Sequence, residues 1–220
     1  MTIGYSDLRA QKRVNLAENA PLFAPLSIYI EPTNICNFKC LYCPEAFDNY
    51  EAISGGLHQL SKENFNIILN EIKKIGGVKT INFYMMGEPF VNKNLLYFVQ
   101  LVKINSLADR LIITTNGTLI RPKLYQSLLD SGLDYLRLSV YGGFEQTHKL
   151  RTKSSIGLDV ILKNILGFKN FRDSSANCLK PHIYIKMIDS SDEIENAAFI
   201  ERFSCAADEI KIEPVMNWND

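Results

Sequence analysis

No stretch of this chain approaches the roughly 18 consecutive apolar residues that a bilayer-crossing helix needs. Residues 1–9 also lack the basic and apolar regions of a secretory signal. Both absences point to a reducing cytoplasm. There is no net charge either, since Lys plus Arg and Asp plus Glu each number 24. That balance provides no overall basic field to draw nucleic acid or an anionic membrane, so neither is expected as a partner. Cysteine is scarce and odd in number, at five, which argues against a disulfide scaffold. What remains is ordinary: 220 residues, 46% hydrophobic and 22% charged, enough for one sizeable packed domain.

The cysteines that are present are not scattered. Cys36, Cys40 and Cys43 fall within eight residues, directly after the apolar run Leu26 to Ile30. This x3-then-x2 spacing lets one loop place three thiolates around a single centre. A four-iron cluster usually takes four cysteines. Three leave one iron open to something that is not protein. A structural zinc site would need a fourth Cys or His in paired spacing, yet the nearest His, His58, lies fifteen residues beyond Cys43 (58 − 43). Cys178 and Cys205 stand apart and read as structural thiols in core or loop.

Periodicity gives strands at Leu26–Ile30, Val78–Tyr84, Leu111–Thr115, Tyr135–Val140, His182–Ile188 and Glu209–Val215. Helices alternate with them: from Ser61 to the stop at Gly76-Gly77, Lys93–Ile104, Pro122–Leu129, Leu158–Phe168 and Asp192–Arg202. Strict alternation predicts an α/β fold with a parallel sheet and right-handed crossovers. Six units suggest a partial (β/α)6 TIM-like barrel, with a doubly wound open sheet as the rival. Either architecture binds ligands at the carboxyl ends of its strands. Those ends carry the cysteine loop, Met85-Met86-Gly87-Glu88-Pro89, Thr115-Asn116-Gly117, and Ser139 followed by Tyr141-Gly142-Gly143, His148 and Arg151. Taken singly, each is a common turn or surface feature. His148, His182 and the Met85-Met86 pair read as structural.

Taken in order, these motifs resemble the radical S-adenosylmethionine (SAM) enzymes, and the likeness runs along nearly the whole chain. Cys36, Cys40 and Cys43, with Tyr42 before the last, match that superfamily's cluster loop. Glu31-Pro-Thr-Asn-Ile-Cys-Asn and the region of Trp218 resemble the branch carrying a C-terminal auxiliary-cluster (SPASM or twitch) extension. The resemblance implies a 4Fe-4S cluster held by the three cysteines and SAM as cosubstrate. It also implies reductive cleavage of SAM to a 5′-deoxyadenosyl radical, which takes hydrogen from a small-molecule or peptide substrate. An external donor of flavodoxin or ferredoxin type would supply the electron.

Site roles implied by the resemblance are contacts to SAM. Gly87 and Glu88 meet its amino group, with Met86 replacing the usual first glycine. Ser139 meets its carboxylate or ribose, and Arg151 its carboxylate. Tyr42 lies against the adenine, and Asn116 lines the SAM or substrate pocket. Family habit suggests cell-surface polysaccharide precursors or modified peptides. The expected organisation is an N-terminal extension over 1–25 and a core over 26–220, lacking its sixth helix and any auxiliary-cluster domain, hence a fragment. Two other readings stay open: a glycyl-radical activase acting on a partner protein, and a non-catalytic module stabilised by zinc or a cluster.

Overall fold

The computed structural model describes residues 20–175 and 180–214. The end of the predicted sixth strand at Val215, the Trp218 region and Cys178 lie outside them. In chain order the elements are β1 (Ser27–Ile30), α1 (Tyr50–Ile53), α2 (Lys62–Lys74), β2 (Val78–Phe83), α3 (Leu95–Ile104), β3 (Ala108–Thr115), α4 (Pro122–Asp130) and β4 (Tyr135–Val140). They continue through α5 (Glu145–Thr152), α6 (Leu158–Ser174), β5 (His182–Ile188), α7 (Glu193–Phe203) and β6 (Glu209–Glu213).

All six strands form one sheet in sequence order, and every neighbouring pair is parallel. Among the described residues β1 does not pair with β6, so the sheet is open. This is the partial barrel expected from the alternation, with two additions, the single turn α1 and helix α5. Helix α5 was not predicted, because Glu145-Gln-Thr-His-Lys-Leu-Arg-Thr152 has no apolar stripe and buries only His148 and Thr152.

Side chains alternate across each strand, and the register sorts them into two unlike faces. Ile81 of β2 pairs with Ile28 and Leu111, and Leu136 of β4 with Ile113 and Ile183. These sit under the helices in one continuous core. There Phe65 of α2 stacks on Phe98 of α3 at 4.3 Å between centroids. Burying side chains of this size contributes about 1.5–3 kcal/mol each. The opposite face carries Tyr29, Asn82, Thr114, Arg137, Ser139 and Lys186 by the same registers, around a small buried cluster of Ile112, Tyr135 and Tyr184. Its polar members stand toward the strand ends, where they can line a site.

Local signals account for the helix ends. Ser61 caps α2 by accepting from the Asn64 N–H at 3.1 Å. At its other end the chain reverses through Gly76 and Gly77, at φ 75 and 91. A side chain at Gly77 would also meet the Leu107 carbonyl oxygen at 2.9 Å, so glycine is required there twice over. Cys205 is exposed on a 3-10 turn after α7, with no part in the core.

Candidate active site

The segment between β1 and α1 is the cysteine loop, and the fold grips it from three sides. The Glu88 N–H donates to the Ile35 carbonyl at 3.0 Å, fastening the loop after β2 to its start. The Lys39 N–H donates to the Thr152 carbonyl at 3.0 Å and the Leu41 N–H to the Arg151 carbonyl at 2.8 Å. These last two bonds flank Cys40 and hang the loop on the end of α5. The third hold is Asn37, whose amide donates to Thr118 Oγ1 at 2.8 Å and whose oxygen accepts from Asn116 Nδ2 at 2.8 Å. Gly87 fits because it has no side chain. A Cβ there would lie 2.7 Å from the Ile35 N and O and closer still to the Thr33 carbonyl oxygen.

Between these holds lies a cavity of about 570 Å³, counted to its open mouth. Cys36, Cys40 and Cys43 line it together with Gly87, Glu88, Asn116 and Ser139. Four strand-end residues from three different loops thus meet the cysteines in one place. Tyr42 and Arg151 do not share that cavity. They line an adjoining one of about 330 Å³ with Met187, Asp189 and Ser190, and Tyr141 is common to both.

Several side chains expected to face a ligand are already engaged within the protein. Glu88 is buried, and its oxygens accept from Thr115 Oγ1 at 2.6 Å, the Asn116 N–H at 2.8 Å and the Phe90 N–H at 3.2 Å. Burial pushes its carboxyl up to about 7, against the downward pull of those donors. The Glu88 side chain therefore ties β2's loop to the end of β3, while its own N–H and carbonyl are engaged with Ile35 and Val91. Asn116 is likewise occupied, its oxygen accepting from the Thr118 N–H at 3.0 Å and Thr118 Oγ1 at 2.6 Å. Arg151 holds Glu195 of α7 bidentately and also donates to the Tyr141 carbonyl at 3.3 Å. Sequence reasoning missed Glu195 altogether. In the sequence it looks like one more acid in the first turn of a helix.

The donor set can be tested against a cluster. Burial pushes the Cys36 and Cys40 thiols up to about 12 and raises Cys43 as well. Such thiols become ligands only when metal charge replaces their protons. Among the described residues no three His, Cys, Asp or Glu side chains converge on a single metal-ion position. All three thiols line one cavity, which suits a cluster held by cysteine thiolates. A closed structural zinc site would need a fourth Cys or His, and no other Cys or His lines that cavity. Next to the loop, His148 is fully buried with its ring edge against Phe38 at 5.8 Å, and burial holds it down to about 4. A neutral ring packed on an apolar one makes His148 structural, as the sequence suggested.

An open parallel half-barrel with a three-thiol loop at its carboxyl edge defines an iron–sulfur α/β enzyme. The pattern of the Radical SAM superfamily matches residues 30–177, and the chain belongs to that superfamily. Members use a 4Fe-4S cluster and SAM, so this chain is an enzyme with those two cofactors. It is 29% identical over 167 residues to a probable GTP 3′,8-cyclase of Methanocaldococcus jannaschii, covering 76% of this chain and 52% of that protein. It is 26% identical over 124 residues to the SAM-dependent 2-deoxy-scyllo-inosamine dehydrogenase of Niallia circulans, covering 56% and 47%. The chain thus spans about half the length of these relatives. Among solved structures, Streptococcus suis SuiB bound to SAM superposes with a TM-score of 0.69 at 16% identity, covering 93% of this chain and 44% of that one. The same protein bound to its precursor peptide SuiA gives 0.64 at 21%, covering 91% and 42%. No helix among the described residues is long and apolar enough to cross a membrane.

Proposed function

We propose that this chain cleaves SAM reductively at the cysteine cavity and directs the resulting radical onto a hydroxyl- or amide-rich substrate, a sugar-type precursor or a peptide. When bound, the cluster supplies one electron to the SAM sulfonium, whose cleavage leaves methionine and a 5′-deoxyadenosyl radical. The rest is the work of the polypeptide. Cys36, Cys40 and Cys43 hold the cluster on a loop tied down by Glu88, Asn37 and α5. The backbone at Gly87 and the hydroxyl of Ser139 would hold the methionyl end beside it. Tyr42 and the adjoining cavity would take the adenosine, with Arg151 shaping that cavity through its hold on Tyr141 and Glu195.

The observation that carries the reading is the convergence of the three thiols with the ends of β2, β3 and β4 on one cavity. The substrate class is supported by the polar side chains on the sheet face beside it, Thr114, Ser139 and the already paired Arg137 and Lys186. Relatives named for an aminocyclitol-type dehydrogenase and for a peptide complex are consistent with that class. An external one-electron donor of flavodoxin or ferredoxin type completes the scheme. The test is anaerobic reconstitution with iron and sulfide, then dithionite reduction and chromatography for 5′-deoxyadenosine. Wild type should form it, and a C36A/C40A/C43A protein should not. Equal amounts from both would overturn the reading.

A further inference from the structure

One wall of the cavity plays no part in the roles above. Immediately after Cys43 the chain turns through a 3-10 segment, Pro44–Ala46, which starts on a proline and swings Glu45 inward. Its side chain is 1% exposed. One oxygen, Oε2, accepts from Lys39 Nζ at 2.7 Å, but Oε1 is buried without any hydrogen-bond partner. The Lys39 side chain is half exposed, so solvent screens that pair. Glu45 lines the cysteine cavity, and no Lys, Arg or His lines it with them. The other carboxylate there, Glu88, has both oxygens satisfied by donors. Glu45 therefore leaves a negative charge in a desolvated wall with a lone pair unmet, an arrangement that costs free energy unless an occupant compensates it. Opposite charge inside such a wall is felt more strongly than at a surface.

We propose that Glu45 makes this cavity selective for a cationic sulfonium, as a recognition residue for the charge on SAM in addition to the backbone contacts. The proposal rests on the SAM-cleaving reading above. A sulfonium offers no hydrogen-bond donor, so the surrounding charge is what distinguishes it from a thioether. S-adenosylhomocysteine supplies the comparison, because it differs from SAM by one methyl group and that positive charge. The methionyl ammonium is common to both.

The experiment measures equilibrium binding of SAM and of S-adenosylhomocysteine to cluster-loaded protein, anaerobically and without reductant, so that no turnover occurs. Wild type is expected to prefer SAM by about tenfold or more. Glu45→Gln should keep its iron, lose about tenfold in SAM affinity and leave S-adenosylhomocysteine within about twofold. Lys39→Ala breaks the same ion pair but keeps the carboxylate, and should bind SAM at least as tightly as wild type. Equal weakening of both ligands by E45Q, no weakening, loss of iron from E45Q, or a K39A protein that mimics E45Q would each overturn the proposal. The last two outcomes would assign Glu45 to holding the loop. Wild type that binds iron but neither ligand would instead sink the SAM-cleaving reading itself.

Discussion

The Arg151 guanidinium holds the Glu195 carboxylate through two parallel hydrogen bonds, Nη1 to Oε1 at 2.8 Å and Nη2 to Oε2 at 2.9 Å. Glu195 Oε1 also accepts from Thr147 Oγ1 at 2.6 Å and the Gly143 N–H at 3.1 Å. One acid on α7 thus fixes both ends of the α5 region, and the backbone carbonyls of Arg151 and Thr152 in turn hold the cysteine loop. Burial alone would raise the Glu195 carboxyl, but Thr147, Arg151 and Gly143 hold it below the usual carboxylate range.

Replacing Glu195 by Gln should therefore lower stability by up to about 3 kcal/mol, the lower end for a broken buried pair because Arg151 keeps some exposure. Urea denaturation measures that loss. Iron bound after reconstitution should fall in parallel, since the loop loses its anchor. Asp208→Asn is the matched control. Asp208 pairs bidentately with the buried Arg172 on another side of the molecule, so it should lose comparable stability while keeping its iron. Full iron content in E195Q would show that α5 does not govern the loop.

Gly87→Ala tests the close approach of the two loops. The added methyl would meet backbone atoms of Thr33 and Ile35, which cannot rotate away as a flexible side chain would. Overpacking of this kind costs about 1–3 kcal/mol. The displaced atoms lie just before Cys36, so iron content should drop several-fold relative to wild type. A Gly87→Ala protein with wild-type iron and stability would mean that the loop has slack there.

Much of this arrangement is legible in the sequence, and the illegible part has a common cause. The strands could be read because their side chains are buried under helices on one face and, in the middle of the sheet, on the other as well, which imposes runs such as Leu111-Ile-Ile113. The cysteine loop could be read because its ligands are local. What could not be read were the partners of polar side chains. Arg151 looks like a free fork for an anionic ligand until Glu195, 44 positions later (195 − 151), is seen holding it. Asn116 does line the cavity, but nothing in the sequence signals that Asn37 and Thr118 occupy its amide. Helix α5 escaped notice because polar contacts, not an apolar stripe, hold it in place.

Cluster loading should depend on pH in the direction set by the thiols. Burial pushes Cys36 and Cys40 up to about 12 and raises Cys43, so without metal all three carry protons near neutrality. Binding iron must expel those protons, and ligand affinity rises as protons become scarcer. Between pH 7 and about 9 the yield of reconstituted cluster at limiting iron should climb steadily. Iron and sulfide analysis across that range checks it. A flat or falling yield would mean that the loop opens and exposes its thiols before it binds metal.

Glu88 gives a stability profile of opposite sign to the usual acid. Burial raises its carboxyl from 4.5 to about 7 in the folded protein, despite donors from Thr115, Asn116 and Phe90. A group that keeps its proton longer when folded stabilises the fold below its unfolded value, and that contribution is lost as pH rises through the folded one. The Glu88 contribution to stability should thus decline from about pH 4.5 to about 7 and level off above, by a total of about 3 kcal/mol at 1.36 kcal/mol for each pH unit of displacement. His148 works against this below pH 6.5, because burial keeps it uncharged down to about 4 and its protonation favours unfolding. The comparison must therefore be made with Glu88→Gln at each pH, so that the histidine contribution cancels. Urea midpoints taken at half-unit intervals provide the difference curve. If that curve is flat from pH 4.5 to 7, or rises with pH, the Glu88 carboxyl titrates as it does in the unfolded chain or lower, and its three donors outweigh the burial.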